Sequence, residues 1–186
     1  MNGALKAFLI LLSVSHLLHS DEAISKTVLS MSEPNENRYW RSINDNVMGG
    51  VSSGKIAFLN DYAAFSGEIS LENNGGFSSV TRQAPELTNA TKNLNITVIG
   101  DGNTYQLRLT TYLNGYRLGY KHEFKTKKGV KQQLSLPVKD FIATFHGRRV
   151  WQAPELNPEQ VRELGFLLAN KKAGPFELKI YNIHFD

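Results

Sequence analysis

Gly50-Val51-Ser52-Ser53-Gly54 fits the G-x-S-x-G pattern that elsewhere presents a serine nucleophile. That chemistry needs a strand turning sharply into a helix, a histidine within reach and an oxyanion hole. Here the segment that follows, "KIAFL", reads as a strand, and the chain lacks the alternating helices that build a parallel α/β sheet. Serine hydrolysis is therefore not expected. Metal chemistry has no better footing, because there is no cysteine, no histidine pair at ligand spacing and no Asp/Asn ladder of calcium-loop type. Asp45 and Asp101 lie in glycine-rich loops, but paired-carboxylate catalysis would need them face to face. The residues point to no catalytic group, no metal site and no cofactor, and an enzyme of unstated type ranks last among the functional readings.

The glycine-rich loops need another account. "NDNVMGGVSSG" (44–54) and "ENNGGFSSV" (72–80) share one character, and "GDGN" (100–103) is a shorter third. Gly49, Gly50, Gly75 and Gly76 permit positive φ and close backbone approach, while Asn44, Asp45, Asn73 and Asn74 can hydrogen-bond nearby backbone. Turns that pin strand register explain this much. The first loop is longer than an ordinary hairpin and carries Met48, an adaptable apolar contact, so a binding role stands beside the architectural one.

The elements that must position these loops are strands. "AAFSGEISL" (63–71), "LNITVIG" (94–100), "TYQLRLTTYL" (104–113), "GYKHEFKT" (119–126) and "FELKIYNIHF" (176–185) place apolar residues at alternate positions for most of their length. Turn formers at "ENNGG", "GDGN", "LNGY", "TKKG" and "KAGP" separate them, the rhythm of an antiparallel sandwich or barrel. The alternation predicts a core that includes Phe65, Ile69, Ile96, Val98, Leu107, Leu109, Phe166, Leu168, Leu178 and Ile180. Helix is expected only as one or two short turns, at "LNPEQVREL", with Asn157 as cap and Pro158 in the first helical position.

The start of the chain differs from the rest. "MNGALK" carries Lys6 alone and the run 7–18, "AFLILLSVSHLL", is apolar, which is the layout of a secretory signal peptide. The run is shorter than the ~20 residues of a membrane-spanning helix. Residues 1–20 are expected to be removed, 21–37 to connect, and 38–186 to form one domain without a membrane span. Export to a periplasm or the cell exterior is expected, and mitochondrial import is disfavoured because the leader is not Arg-rich. The net charge of +4 is unevenly placed: residues 21–101 hold six Lys/Arg against ten Asp/Glu, whereas 102–150 hold ten against two. Because "YRLGYKHEFKTKKG" alternates charged and apolar residues like a solvated strand face, no nucleic-acid partner is expected.

The motifs "W..INDNVMGGVSSG" (40–54), "FSGEISLENNGGFSSV" (65–80), "GDGNTYQLRL" (100–109), "FHG" (145–147) and "LGFLLANKKAGPFELKIYNI" (164–183) resemble, in order and spacing, the thirty-kilodalton complex I intermediate-associated protein family. The resemblance implies an antiparallel jelly-roll β-sandwich of galactose-binding-like type and an assembly chaperone's role, without catalysis. It places the family signature on the three loops and their flanks. The binding residues expected are Asn44, Asp45, Met48, Ser52, Asn73, Asn74, Phe77, Ser79, Arg82, Asp101 and Tyr105, with Gly49, Gly50, Gly75, Gly76, Gly100 and Gly102 as structural glycines. One Thr, Thr81, stands between the "SV" of the second motif and Arg82, where the family commonly has Arg directly. The leading functional expectation is a protein-binding, assembly-factor-like module whose partner is a membrane or respiratory complex subunit. The alternative is a carbohydrate-binding module.

Overall fold

The computed structural model describes residues 27–186. The expected leader at 1–20 and the beginning of the connecting segment lie outside the described residues. Alternating side chains make strands β1 (Thr27–Ser30), β2 (Arg41–Asn44), β3 (Ser53–Phe58), β4 (Ala63–Ile69), β5 (Ser78–Gln83), β6 (Asn93–Ile99) and β7 (Thr104–Leu113). They continue as β8 (Tyr116–Lys125), β9 (Lys131–Pro137), β10 (Ile142–Phe145), β11 (Arg148–Arg149), β12 (Glu163–Leu168) and β13 (Gly174–Phe185).

Two antiparallel sheets face each other across one core. The first has the order β3-β4-β13-β6-β9 with β1 also on β13, and the second the order β11-β10-β8-β7-β12-β5-β2. All ten residues predicted for the core are buried. Rings link the two sheets through it: Phe176 meets Phe65 at 4.8 Å, Phe65 meets Tyr105 at 6.5 Å, and Tyr105, Phe124, Phe166 and Trp40 continue the series at 6.1, 6.2 and 6.3 Å.

Strand β13 is the spine of the first sheet, and strict alternation fails along it. Phe176, Leu178 and Ile180 point inward, but so do Ile183 and Phe185, which have the opposite parity. A register shift between Ile180 and Asn182 inserts one residue and returns the apolar side chains to the core. The first half of β13 pairs with β4 and its end with β1. Thr27–Ser30, within the stretch expected to be a connector, is thus a paired strand along its whole length.

Asn157 does cap a helical turn: its side-chain Oδ1 accepts the Glu159 amide at 3.0 Å, and the 3-10 turn Pro158–Gln160 ends before β12. The described residues hold four further 3-10 turns, at Glu36–Tyr39, Asp45–Met48, Glu72–Asn74 and Val138–Asp140. This exceeds the one or two turns expected, because the two long glycine loops each wind through a tight turn that has no apolar periodicity to announce it.

The core predicts its own cost of disruption. Leu107→Ala removes buried methyl groups between the sheets and should cost ~2–5 kcal/mol, read as a lower urea midpoint at unchanged m-value with the far-UV dichroism of a β-protein retained.

Candidate functional site

Strand register puts five connections at one end of the sandwich. Asn44 pairs with Ser78, Ile69 with Gly174, Ile99 with Lys131 and Thr104 with Lys125, so 45–52, 70–77, 100–103, 126–130 and 169–173 emerge together. Each of these connections passes from one sheet to the other.

The first two are locked by one carboxylate. Asp45 has 0% of its surface exposed. Its Oδ1 accepts the Ser52 amide at 2.9 Å, and its Oδ2 accepts the Ser52 hydroxyl at 2.5 Å and the Gly76 and Phe77 amides at 2.6 and 3.3 Å. Glycine is required around it by space: a Cβ on Gly50 would lie 2.4 Å from Asp45 Cγ, and one on Gly75 would lie 2.6 Å from Oδ2. Gly49 and Gly76 adopt φ of 89° and 128° in the turns that bring the loops together. Asn44 adds a second tie, accepting the Ser78 hydroxyl at 2.6 Å and donating to the Gly54 carbonyl at 3.1 Å. Asn73 donates to the Gly49 carbonyl at 3.1 Å, and Ser79 to the Ile43 carbonyl at 2.8 Å. Asn74 is exposed and makes no side-chain hydrogen bond among the described residues.

A second cluster, built on Asp101 and Asn103, ties the other three connections together. Asp101 Oδ2 accepts the Tyr105 hydroxyl at 3.0 Å, the Asn103 carboxamide at 2.9 Å and the Glu177 amide at 3.0 Å. Burial, then the charge of Asp101, raises the Tyr105 pKa, so the phenol stays a donor. Thr126 donates to the Asn103 carbonyl and accepts the Gly102 amide, and Asn170 donates to Asn103 Oδ1 at 2.8 Å. Gly100 has no room for a Cβ, which would lie 2.4 Å from that of Thr126, and Gly102 has φ 99°.

The structure therefore gathers most of the expected residues at one end, but as two internally bonded clusters. Arg82 is not among them. It sits at the far part of β5, ion-paired with buried Glu36, which also accepts the Trp40 indole N–H at 2.7 Å. Nor does Ser52 sit at a strand-to-helix elbow: it is buried, it bonds Asp45 and the Ser70 backbone, and β3 follows it. Among the described residues no three His, Cys, Asp or Glu side chains could jointly hold a metal ion, and no helix is long and apolar enough to cross a membrane.

The first two loops also expose a group of apolar side chains beside Asn46, Glu72 and Asn74. Val47 and Met48 are each 69% exposed, Val51 51% and Leu71 46%. Met48 has its place in the expected set; Val47, Val51 and Leu71 do not, because a lone valine or leucine in a loop carries no sign of which way it points until the polar residues beside it turn inward.

A sequence profile of the complex I intermediate-associated protein 30 family matches residues 29–180. No curated protein matches the chain. Among solved structures, the family 11 carbohydrate-binding module of the cellulosomal cellulase Lic26A-Cel5E of Clostridium thermocellum is 15% identical with a TM-score of 0.64, covering 88% of this chain and 96% of that one. A family 11 module from Clostridium thermocellum in complex with a β-1,3-1,4-mixed-linked tetrasaccharide is also 15% identical, with TM-score 0.64 and coverage of 85% and 94%. The family 30 module of the cellulosomal cellulase Cel9D-Cel44B of Clostridium thermocellum is 11% identical, with TM-score 0.53 and coverage of 80% and 91%. These likenesses establish the β-sandwich fold.

The Asp45 cluster makes stability depend on acid. Burial alone would raise the Asp45 pKa, but the Ser52 hydroxyl and the Gly76, Phe77 and Ser52 amides together hold it below the ordinary carboxylate value. A carboxyl whose native pKa is depressed stabilises fully above its unfolded value and loses that contribution as pH falls through the native one. Urea midpoints should thus drop below about pH 4. Asp45→Asn, which cannot accept all four donors as an anion does, should be less stable at pH 7 by ~1–3 kcal/mol and show a flatter acid limb.

Proposed function

This chain belongs to the complex I intermediate-associated protein 30 family, and from that premise we propose that it is a non-catalytic, assembly-factor-like module that holds a protein partner at the loop end of its sandwich. The observation that carries this reading is the group of exposed apolar side chains on the two clamped glycine loops. The side-chain oxygens and amides of Asn44, Asp45 and Ser52 bond within the loops, while Val47, Met48, Val51 and Leu71 face outward. Exposed apolar groups on internally clamped loops lose little freedom on docking, so more of the contact energy appears as affinity. Met48 adds a side chain that adapts to an irregular partner surface. The partner's matching surface is apolar, as on a subunit awaiting assembly into a membrane or respiratory complex. The leader routes the protein to a periplasm or the cell exterior, so the complex it serves is assembled there.

A carbohydrate-binding role is the second reading. It is favoured by the fold shared with carbohydrate-binding modules, one of them in complex with a tetrasaccharide. Such a ligand would not be held mainly by the glycine loops, whose hydrogen-bonding side chains are largely committed to one another.

Two measurements test the leading reading. The double variant Val47→Asp with Met48→Asp should lose a partner captured by the unaltered protein from its native compartment, by at least tenfold, about 1.4 kcal/mol, with little change in Tm because both side chains are solvent-exposed. Undiminished capture would remove the loop end from the interface. Mass spectrometry of the native protein should find a chain beginning just after Ser20 or Ala23; Met1 retained in a membrane fraction would overturn the exported assignment.

A further inference from the structure

The outward face of the seven-stranded sheet holds a cation without a counter-ion. Register aligns Arg41, Thr81, Gly165, Arg108 and Lys121 in one row across β2, β5, β12, β7 and β8. The adjacent row runs Glu163, Thr110, Gly119 and Thr144. The acids of this face are already committed: Glu163 pairs with both Arg41 and Arg117, at 2.6 and 3.0 Å, and Glu123 pairs with Lys121 at 2.7 Å. Arg108, in the middle and half-buried, donates only to Gln106 Oε1 at 3.1 Å and to Thr144 Oγ1 at 3.2 Å, both neutral. It has no ion pair among the described residues. Burial, followed by the charge of Arg117, lowers its pKa from the ordinary arginine value. A half-desolvated guanidinium with unused N–H donors gains from any anion that reaches it.

The surroundings narrow the anion. Gly119 and Gly165 remove side chains beside Arg108: a Cβ on Gly119 would stand 3.0 Å from its Nη2. The threonines of the two rows are buried and already bonded, Thr81 to the Leu164 carbonyl, Thr144 to the Gly119 carbonyl and Thr110 to the Arg117 guanidinium, so Arg108 is the group left to meet an anion. Tyr112, 50% exposed, stands four residues along β7, about 13 Å away at strand rise, more than one sugar ring. A peptide cannot add as a strand here, because β8, β7, β12 and β5 are paired on both sides; one held by acidic side chains alone is the competitor that tetraglutamate represents below.

We propose that this face binds an acidic oligosaccharide, with a uronate carboxylate on Arg108 and a ring further along the same chain against Tyr112. The site deepens the carbohydrate reading and rests on it, and it is independent of protein docking at the loop end.

Calorimetric titration with tetragalacturonate, a neutral mixed-linkage glucan tetrasaccharide and tetraglutamate tests it on the mature protein. Tetragalacturonate should bind, more weakly as salt is raised, and the other two at least tenfold less well. Arg108→Gln should weaken tetragalacturonate at least tenfold, and Tyr112→Ala, at an exposed position that leaves the fold undisturbed, severalfold. Binding of the neutral glucan but not the uronate would keep the carbohydrate reading and overturn the acidic site. Binding of neither saccharide would overturn both. Tetraglutamate binding as tightly as tetragalacturonate, or a uronate affinity indifferent to both substitutions, would also overturn the site.

Discussion

The loop end of this protein depends on a buried carboxylate. Asp45 collects four hydrogen bonds from residues up to 32 positions away in sequence. An ion out of water is expensive unless it is fully bonded, so the Asp45 site is a constraint as much as a contribution. It is satisfied only if Ser52 and the Gly76–Phe77 amides arrive together. That arrival sets where β3 and β5 begin, since both loops lead directly into them. The glycines follow from the same demand. Gly50 and Gly75 press so close to the carboxylate that any side chain there would displace it.

Half-buried Asp101 anchors a second cluster at the 100–103 connection, which Asn103 extends to Thr126 and Asn170, and the two clusters are joined beneath by the ring series of the core. Tyr105 belongs to both: its ring packs between Phe65 and Phe124 while its hydroxyl reaches Asp101. With no cysteine in the chain, cross-linking by disulfides is not available to hold these loops. Charge-assisted hydrogen bonds to buried Asp45 and half-buried Asp101 do that work instead, and the Asp45 cluster makes the first two loops sensitive to acid.

Much of the scaffold was legible in the sequence because alternation reports burial directly: the strands at 63–71, 94–100, 104–113 and 176–185 match β4, β6, β7 and β13 to within a few residues. The loop motifs were legible as a group, but the direction of their side chains was not. Asn and Asp in a glycine loop look alike whether they face a ligand or one another, and only the closure across sheets decides. The same limit hid the role of Arg82, whose partner Glu36 is 46 residues away. Thr27–Ser30 escaped because a four-residue edge strand is too short to show a period, and the shift in β13 because one extra residue breaks the pattern it rescues. The Arg108 face was out of reach for another reason. Its rows run across five strands, and register between strands is not written in any one of them.

The two surfaces differ in chemistry and in how they are built. At the loop end, Asn44, Asp45 and Ser52 are spent internally while Val47, Met48, Val51 and Leu71 lie exposed, so contact at these four side chains removes hydrophobic area from water. On the sheet face the strands' backbone groups are spent on their neighbours, and what remains is a row carrying Arg41, Arg108 and Lys121, whose interactions are electrostatic and screened by salt. Strands β5 and β12 contribute to both, through Ser78 and Leu168 at one end and Thr81 and Glu163 further along. Those strands are paired members of one sheet, so the sheet itself fixes the position of the loop end relative to the Arg108 face, and the two surfaces differ in polarity although the same strands carry both.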